Sequence, residues 1–229
     1  LGFASTLMPF ALAVSGLWTQ DHRYGMGKAI PWAFFGVAIL GAGILMGGAW
    51  AYEALSFGGF WAWDPVENSS LVPWLVLVAG AHLLLINKAK PGTAVTATYL
   101  MIALGFLLVV YSTFLTKSGI LGDTSVHSFV DSGILPQLLG FLLGCCALLC
   151  TLILPPGRER LVFGALQAVL AVGSAVANPA LCTLGLLLVM GLAVLRGHLK
   201  NLPRTDTESP IWTREFWMFV GGMLMFASA

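Results

Sequence analysis

Long apolar runs separated by short polar breaks occupy most of the chain. A membrane-crossing helix needs roughly 20 predominantly apolar residues. The pattern predicts eight such helices, at about 1–19, 31–52, 71–87, 94–116, 134–155, 161–177, 179–196 and 215–229. The sixth and seventh runs are separated only by Asn178-Pro179, so a tight hairpin or one long kinked element fits. Pro31 is placed in the first turn of its helix, where a missing N–H costs nothing. Pro155-Pro156 and Pro203 fall where helices should stop. The predicted fold is all-α: a polytopic transmembrane bundle of about eight spanning helices. A Trp-rich outward loop with short helical or irregular segments interrupts it.

Composition supports this class. The chain is 58% hydrophobic and 9% charged, whereas a soluble domain carries about 25% charge. Such a chain cannot cover itself with polar surface in water. The net charge of +1 leaves no basic footprint for a nucleic acid. No basic region or small-residue cleavage site marks a signal peptide at the start. Both ends lie in apolar runs and read as cuts through a larger protein. Cys145, Cys146, Cys150 and Cys182 all sit in apolar runs. The adjacent pair is poorly placed for a disulfide, and no C-x-x-C-H haem-attachment signature exists.

Charge then sets orientation. With eight spans, Arg23, Lys28, Lys88, Lys90, Arg158, Arg160, Arg196, Lys200, Arg204 and Arg214 fall on one side, and only Lys117 on the other. Basic loops stay cytoplasmic. Merging the sixth and seventh runs would move the last four to the opposite side, so the asymmetry favours the hairpin. Loops 53–70 and 117–133 then face outward, which means the periplasm if the source is a Gram-negative bacterium.

Loop 53–70 holds Glu53, Phe57, Phe60, Trp61, Trp63, Asp64 and Glu67, with Trp50 and Trp74 at its rims. An aromatic belt at headgroup level is one explanation. A belt, however, spreads its rings over many helix ends, and here they share one segment. Gly58, Gly59, Pro65 and Pro73 also fix the backbone, which an anchor does not need. A flat aromatic platform suits a flat aromatic ligand, since offset stacking adds roughly 0.5–1.5 kcal/mol per pair. A porphyrin is such a ligand. Its propionates are anionic, so Asp64 and Glu67 are expected in structural roles: Asp64 closing a turn before Pro65, Glu67 holding a backbone N–H.

Loop 117–133 carries His127, the only histidine of either outward loop. It is a solvated side chain or, beside a porphyrin platform, an axial ligand of haem iron. Lys117 pairs with a propionate or snorkels from a helix end. His82 lies inside a span, about 12 Å beyond Trp74 at the helical rise. Ionisable groups there mark function by default. It is expected to ligate a second, buried haem or to make an interhelical hydrogen bond. His22 and His198 fall in basic inward loops and are expected to be solvated. No residue is expected to act as a catalytic acid or base.

Two stretches carry a family resemblance. WAYEALSFGGFWAWDPVENSSLVPW (Trp50–Trp74) resembles the tryptophan-rich "WWD" signature of haem-handling proteins in cytochrome c maturation, and within them WDPVEN before PW resembles the CcmF/NrfE branch. TFLTKSGILGDTSVHSF (Thr113–Phe129) is similar to that family's T-F-L-x-R-S-G-x-L-x-S-V-H-x-F. Here Lys117 replaces the arginine, and Gly122-Asp123 is an insertion. The spacing from Pro73 to His82 fits the family's transmembrane histidine, and TREFWMF (Thr213–Phe219) resembles a weaker signature.

The resemblance implies a haem lyase subunit of cytochrome c-type biogenesis in the bacterial inner membrane. Such a protein takes haem from a periplasmic haem chaperone. It presents that haem to the C-x-x-C-H thiols of apocytochrome c, alongside other maturation subunits. Carried over by position, Trp61, Trp63 and Asp64 form the platform, with Phe60 and Trp74 beside them. His127 becomes an axial ligand of the transiently bound haem, and His82 a ligand of haem b in the membrane. Partner histidines are expected just before Leu1 and after Ala229. Residues 1–133 would be the haem-handling region and 134–229 additional helices continuing beyond. A non-catalytic haem-docking subunit and a transporter with a Trp-rich gate are the alternatives.

Overall fold

A computed structural model of the chain describes residues 1–54, 59–122, 125, 133, 135–176 and 179–200. His127, most of loop 123–134 and the predicted run 215–229 lie outside the described residues, as does TREFWMF. All described elements are helices: α1 (Gly2–Ser5), α2 (Leu7–Thr19), α3 (His22–Glu53), α4 (Pro65–Ala89), α5 (Val95–Lys117), α6 (Leu135–Ile153), α7 (Arg158–Val176) and α8 (Pro179–Lys200). Among the described residues five segments are long and apolar enough to cross a membrane: Gly2–Thr19, Gly25–Glu53, Pro65–Ala89, Ala97–Lys117 and Pro136–Ile153. The chain is a multi-pass membrane protein with a helical-bundle fold. α7 is less apolar because Arg158, Glu159, Arg160 and Gln167 share its length.

Two helix starts differ from those the apolar pattern predicts. α3 begins at His22, so Pro31 sits inside it and not in its first turn. A proline there removes a hydrogen bond to the carbonyl four residues back and crowds it. That residue is Gly27, and the helix runs through the proline to Glu53. α4 begins at Pro65, six residues before the predicted apolar run. The Asn68-Ser69-Ser70 stretch, expected as loop, is therefore helical. The cause is local. Asp64 is the N-cap, Glu67 reaches back to complete a capping box, and Pro65 occupies the first turn.

The core joins α2 to α5. Phe10 and Leu17 meet Ala29 and Ala33, Leu77 and Leu84, and Tyr99, Ile102 and Phe106; Leu149 and Leu152 of α6 close one side. Phe10 and Phe106 have ring centroids 4.4 Å apart. Arg160 staples the two parts of the bundle. Its guanidinium donates to the Leu152 carbonyl at 3.0 Å, to the Leu154 carbonyl, and to Leu17 at the end of α2 at 3.4 Å. Burial there lowers its pKa from the ordinary arginine value.

α7 and α8 form the hairpin that the charge pattern favours. Glu159 pairs with Arg196 at 2.8 Å. Leu170 lies against Gly185 and Gly173 against Cys182. Partner numbers fall as those along α7 rise, the mark of antiparallel neighbours.

Candidate functional site

The site is built at one end of the bundle, where α3 and α5 finish and α1 and α4 begin. The segment before α4 is fixed from within. Asp64 Oδ1 accepts the Val66 N–H at 2.8 Å. Glu67 Oε2 accepts the N–H groups of Ala62 at 2.9 Å and of Asp64 at 3.2 Å. Both carboxylates are thus turned onto backbone donors and the helix N-terminus, which favours negative charge. The structural roles expected of Asp64 and Glu67 hold, though the turn they close is a helix cap.

Trp63 immediately precedes that cap, and its backbone is left-handed, with φ 57°. Bulky side chains rarely adopt this conformation. The Asn68 side chain donates to the Trp63 carbonyl at 3.2 Å and helps to hold it. The consequence is geometric: Trp61 and Trp63 stand 6.2 Å apart at 86°, edge to face. The expected platform is therefore not one plane. Trp63 and Phe60 are exposed, at 57% and 46%, whereas Trp61 turns inward. Phe60 lies over Gly48 of α3, where a Cβ would come within 2.9 Å of its ring.

Trp61 lines a cavity of about 510 Å³ between α1, α3, the start of α4 and the end of α5. Leu40, Ile44, Gly47 and Trp50 form its apolar wall; Glu67, Ser70, Ser112 and Thr116 supply its polar edge. The volume lies within the range of small-molecule sites. The indole Nε1–H of Trp61 is shut off from solvent and has no hydrogen-bond partner. Buried donors are rarely left so.

Trp74 does not join this group. With α4 starting at Pro65, it lies about 15 Å along the helix from Asp64, not at the rim of the loop. Its indole N–H donates to the Val37 carbonyl of α3 at 2.9 Å. The ring fits there because Gly41 has no side chain: a Cβ would stand 2.7 Å from Nε1.

Lys117 is the last residue of α5, where its charge suits the helix dipole. His82 lies about 27 Å along α4 from Asp64 and is exposed on the described bundle, not turned into its interior. Its Nδ1 meets the Val78 carbonyl at 2.8 Å. A carbonyl only accepts, so Nδ1 carries the proton. In the neutral ring Nε2 then holds the lone pair, the arrangement that a metal-ligating histidine uses. The described spans bring no other histidine to it, and no cluster of three metal-binding side chains occurs among the described residues.

The segment that follows α5 is tied to the same cap at Ser125. Ser125 is buried, and its hydroxyl donates to Asp64 Oδ1 at 2.6 Å. Lower on the same seam, the Ser69 and Ser112 hydroxyls join α4 to α5 at 2.9 Å. Neither contact is visible in the sequence, because each joins residues far apart in it. The capping box was visible, as D-x-x-E directly before an apolar run.

A family profile described as "Cytochrome C assembly protein" matches residues 1–121. The "Cytochrome c-type biogenesis protein CcmF" of Pseudomonas aeruginosa is 38% identical over 139 residues, covering 57% of this chain and 20% of that protein. The CcmF of Escherichia coli is 38% identical over 133 residues, with coverages of 57% and 20%. The "Cytochrome c-type biogenesis protein NrfE" of Haemophilus influenzae is 38% identical over 130 residues, with coverages of 56% and 20%. The chain spans about a fifth of the length of these relatives. A solved structure titled "Cytochrome c Heme Lyase CcmF" matches with a TM-score of 0.53 and 28% identity, over 97% of this chain and 38% of that one.

Proposed function

The chain belongs to the cytochrome c assembly protein family, and on that premise we propose that it forms the haem-presenting part of a membrane cytochrome c haem lyase. Its substrate is haem delivered at the outer face by a haem chaperone. Its product is haem joined to the C-x-x-C-H thiols of apocytochrome c, with other maturation subunits assembled around it in the bacterial inner membrane. The end of the bundle with Trp61 and Trp63 faces the periplasm.

One observation carries this reading: a cavity of about 510 Å³ whose wall is apolar and aromatic, with Trp50 and Trp61 lining it, at the end of the bundle that holds the Asp64 cap. The residues fit a haem edge. The cavity wall is apolar and aromatic, and the nearby carboxylates are already tied to backbone N–H groups. Trp63 offers one exposed face for stacking and Trp61 a perpendicular edge. Haem itself supplies the reactive vinyl groups and the iron. The chain's part is positioning, which contributes roughly 7–11 kcal/mol in favourable cases. His127 is proposed as an axial ligand at the outer site, and Lys117 as a second propionate partner. His82, with Nδ1 engaged, is proposed as one ligand of haem b in the membrane. Membership of an assembly family leaves the transporter alternative without support.

The test uses the longer protein that contains this segment. Purified, it should show a haem Soret band. Trp61→Phe keeps an aromatic ring but shortens the cavity wall by the rest of the indole, so haem retention should fall about tenfold, the order expected for losing roughly 50 Å² of apolar contact. Unchanged retention in Trp61→Phe would refute the cavity as the haem site. His127→Ala should lower holocytochrome c yield with membrane insertion intact.

A further inference from the structure

We infer that Ser125 is a positioning residue: it ties the chain just beyond α5 to the cap of α4, and so fixes the point from which the chain runs on to His127. The inference rests on the proposed haem reading for what the loop does, but not for how it is held.

The geometry begins at α5. Beyond Lys117 the chain turns back on itself. The Ile120 N–H reaches the Ser118 hydroxyl at 3.3 Å, the Gly122 N–H reaches the Gly119 carbonyl at 3.1 Å, and the Ser125 N–H reaches the Leu121 carbonyl at 2.9 Å. These bonds carry the chain from the end of α5 to Ser125, which is 7% exposed. There its hydroxyl donates to Asp64 Oδ1 at 2.6 Å. That distance is at the short end of the range for a hydroxyl donor to an oxygen acceptor. The same Oδ1 accepts the Val66 N–H, and the Asp64 N–H is held by Glu67. One carboxylate therefore caps α4, follows directly on the left-handed Trp63, and holds the second loop. His127 follows Ser125 by two residues, a span of at most about 7 Å of chain. A shift at Ser125 must move the histidine's attachment point, while a shift at Asp64 must move both the loop and the indole pair.

A serine that merely satisfied itself locally would give a different result from one that positions the loop. Ser125→Ala and Ser125→Thr are compared in the longer protein by two measurements. The first is hydrogen–deuterium exchange over residues 118–125, which needs no haem. Ser125→Ala should exchange about tenfold faster, as expected for losing a bond of this kind, and Ser125→Thr should return towards wild type. The second is the absorption spectrum of bound haem. Ser125→Ala should convert part of the six-coordinate, low-spin signal to high-spin at unchanged protein level, and Ser125→Thr should restore it. Unchanged exchange in Ser125→Ala overturns the docking. Faster exchange with an unchanged spectrum overturns the positioning role. A wild-type protein without haem, or with a spectrum indifferent to His127→Ala, would remove the haem reading instead, and the exchange measurement would still decide the docking.

Discussion

The first five helices and the last three hold together on different terms. Half of the α5 span, 50%, is buried, against 17% of the α6 span. In the first group helices touch through glycines, Gly41 against Trp74 and Gly80 against Ile102. Polar side chains cross between elements there: Trp74 to Val37, Ser69 to Ser112, Ser125 to Asp64. In the second group Leu161, Val169, Leu184 and Leu188 stand 74%, 67%, 65% and 65% exposed. α7 is joined to its neighbours by an exposed ion pair to α8, a Thr151–Gln167 contact at 3.3 Å to α6, and the Arg160 guanidinium, which donates to the Leu152 carbonyl of α6 and the Leu17 carbonyl of α2. Lipid is as apolar as leucine, so close packing and interhelical hydrogen bonds are what hold membrane helices together. Both groups use both, since Gly164 meets Thr151 and Gly173 meets Cys182 in the second; the family profile covers the first group and stops at its edge, at residue 121.

The largest contrast to be broken is between exposed residues of the two groups. His82 and Leu188 are both exposed on this bundle, yet only His82 should matter for a cofactor. In the longer protein His82→Ala should abolish the b-type haem signal at normal protein level, and Leu188→Ala should leave it untouched. A b-type spectrum indifferent to His82→Ala would remove the buried-ligand role, and the exposed face of α4 would then have no distinction from that of α8.

Next comes packing. Trp74→Ala should destabilise the detergent-solubilised protein by about 3–5 kcal/mol, the usual cost of deleting a packed aromatic. Phe141 on α6, 57% exposed, should cost far less on the same change in a thermal-unfolding comparison. Equal losses would mean that α6 is covered in the longer protein as tightly as α4 is here.

Much of this was written in the chain. Apolar run lengths located α5 and α6 nearly to the residue, because their ends coincide with the ends of apolar sequence. They failed at the starts of α3 and α4, where polar or proline-containing turns continue a helix beyond the lipid-soluble stretch. Hydropathy follows the membrane, not the hydrogen-bond ladder. The site was legible as a set of aromatic residues, and Asp64 and Glu67 as structural carboxylates. Its shape was not. The right angle between Trp61 and Trp63 follows from one left-handed residue, and sequence does not encode that by residue type when the residue is a tryptophan. Trp74 was misplaced at the rim because its depth depends on where α4 begins. Ser125 carries no local signal at all, since its partner lies in another loop.

The smallest effect separates the two groups most cleanly. Gly41→Ala places a methyl 2.7 Å from the Trp74 Nε1. Trp74 is anchored by its bond to Val37 and cannot retreat without losing it, so the cost should be about 1–3 kcal/mol, as for overpacking elsewhere. Gly140→Ala on α6 meets nothing within 4 Å. There the only change is helix propensity, which favours alanine by about 1 kcal/mol, so the protein should gain slightly in thermal stability. The signs are opposite for the same chemical substitution. If Gly140→Ala is instead destabilising, a helix from the rest of the longer protein must pack against α6 at that glycine, and the looseness of the second group belongs to the isolated segment alone.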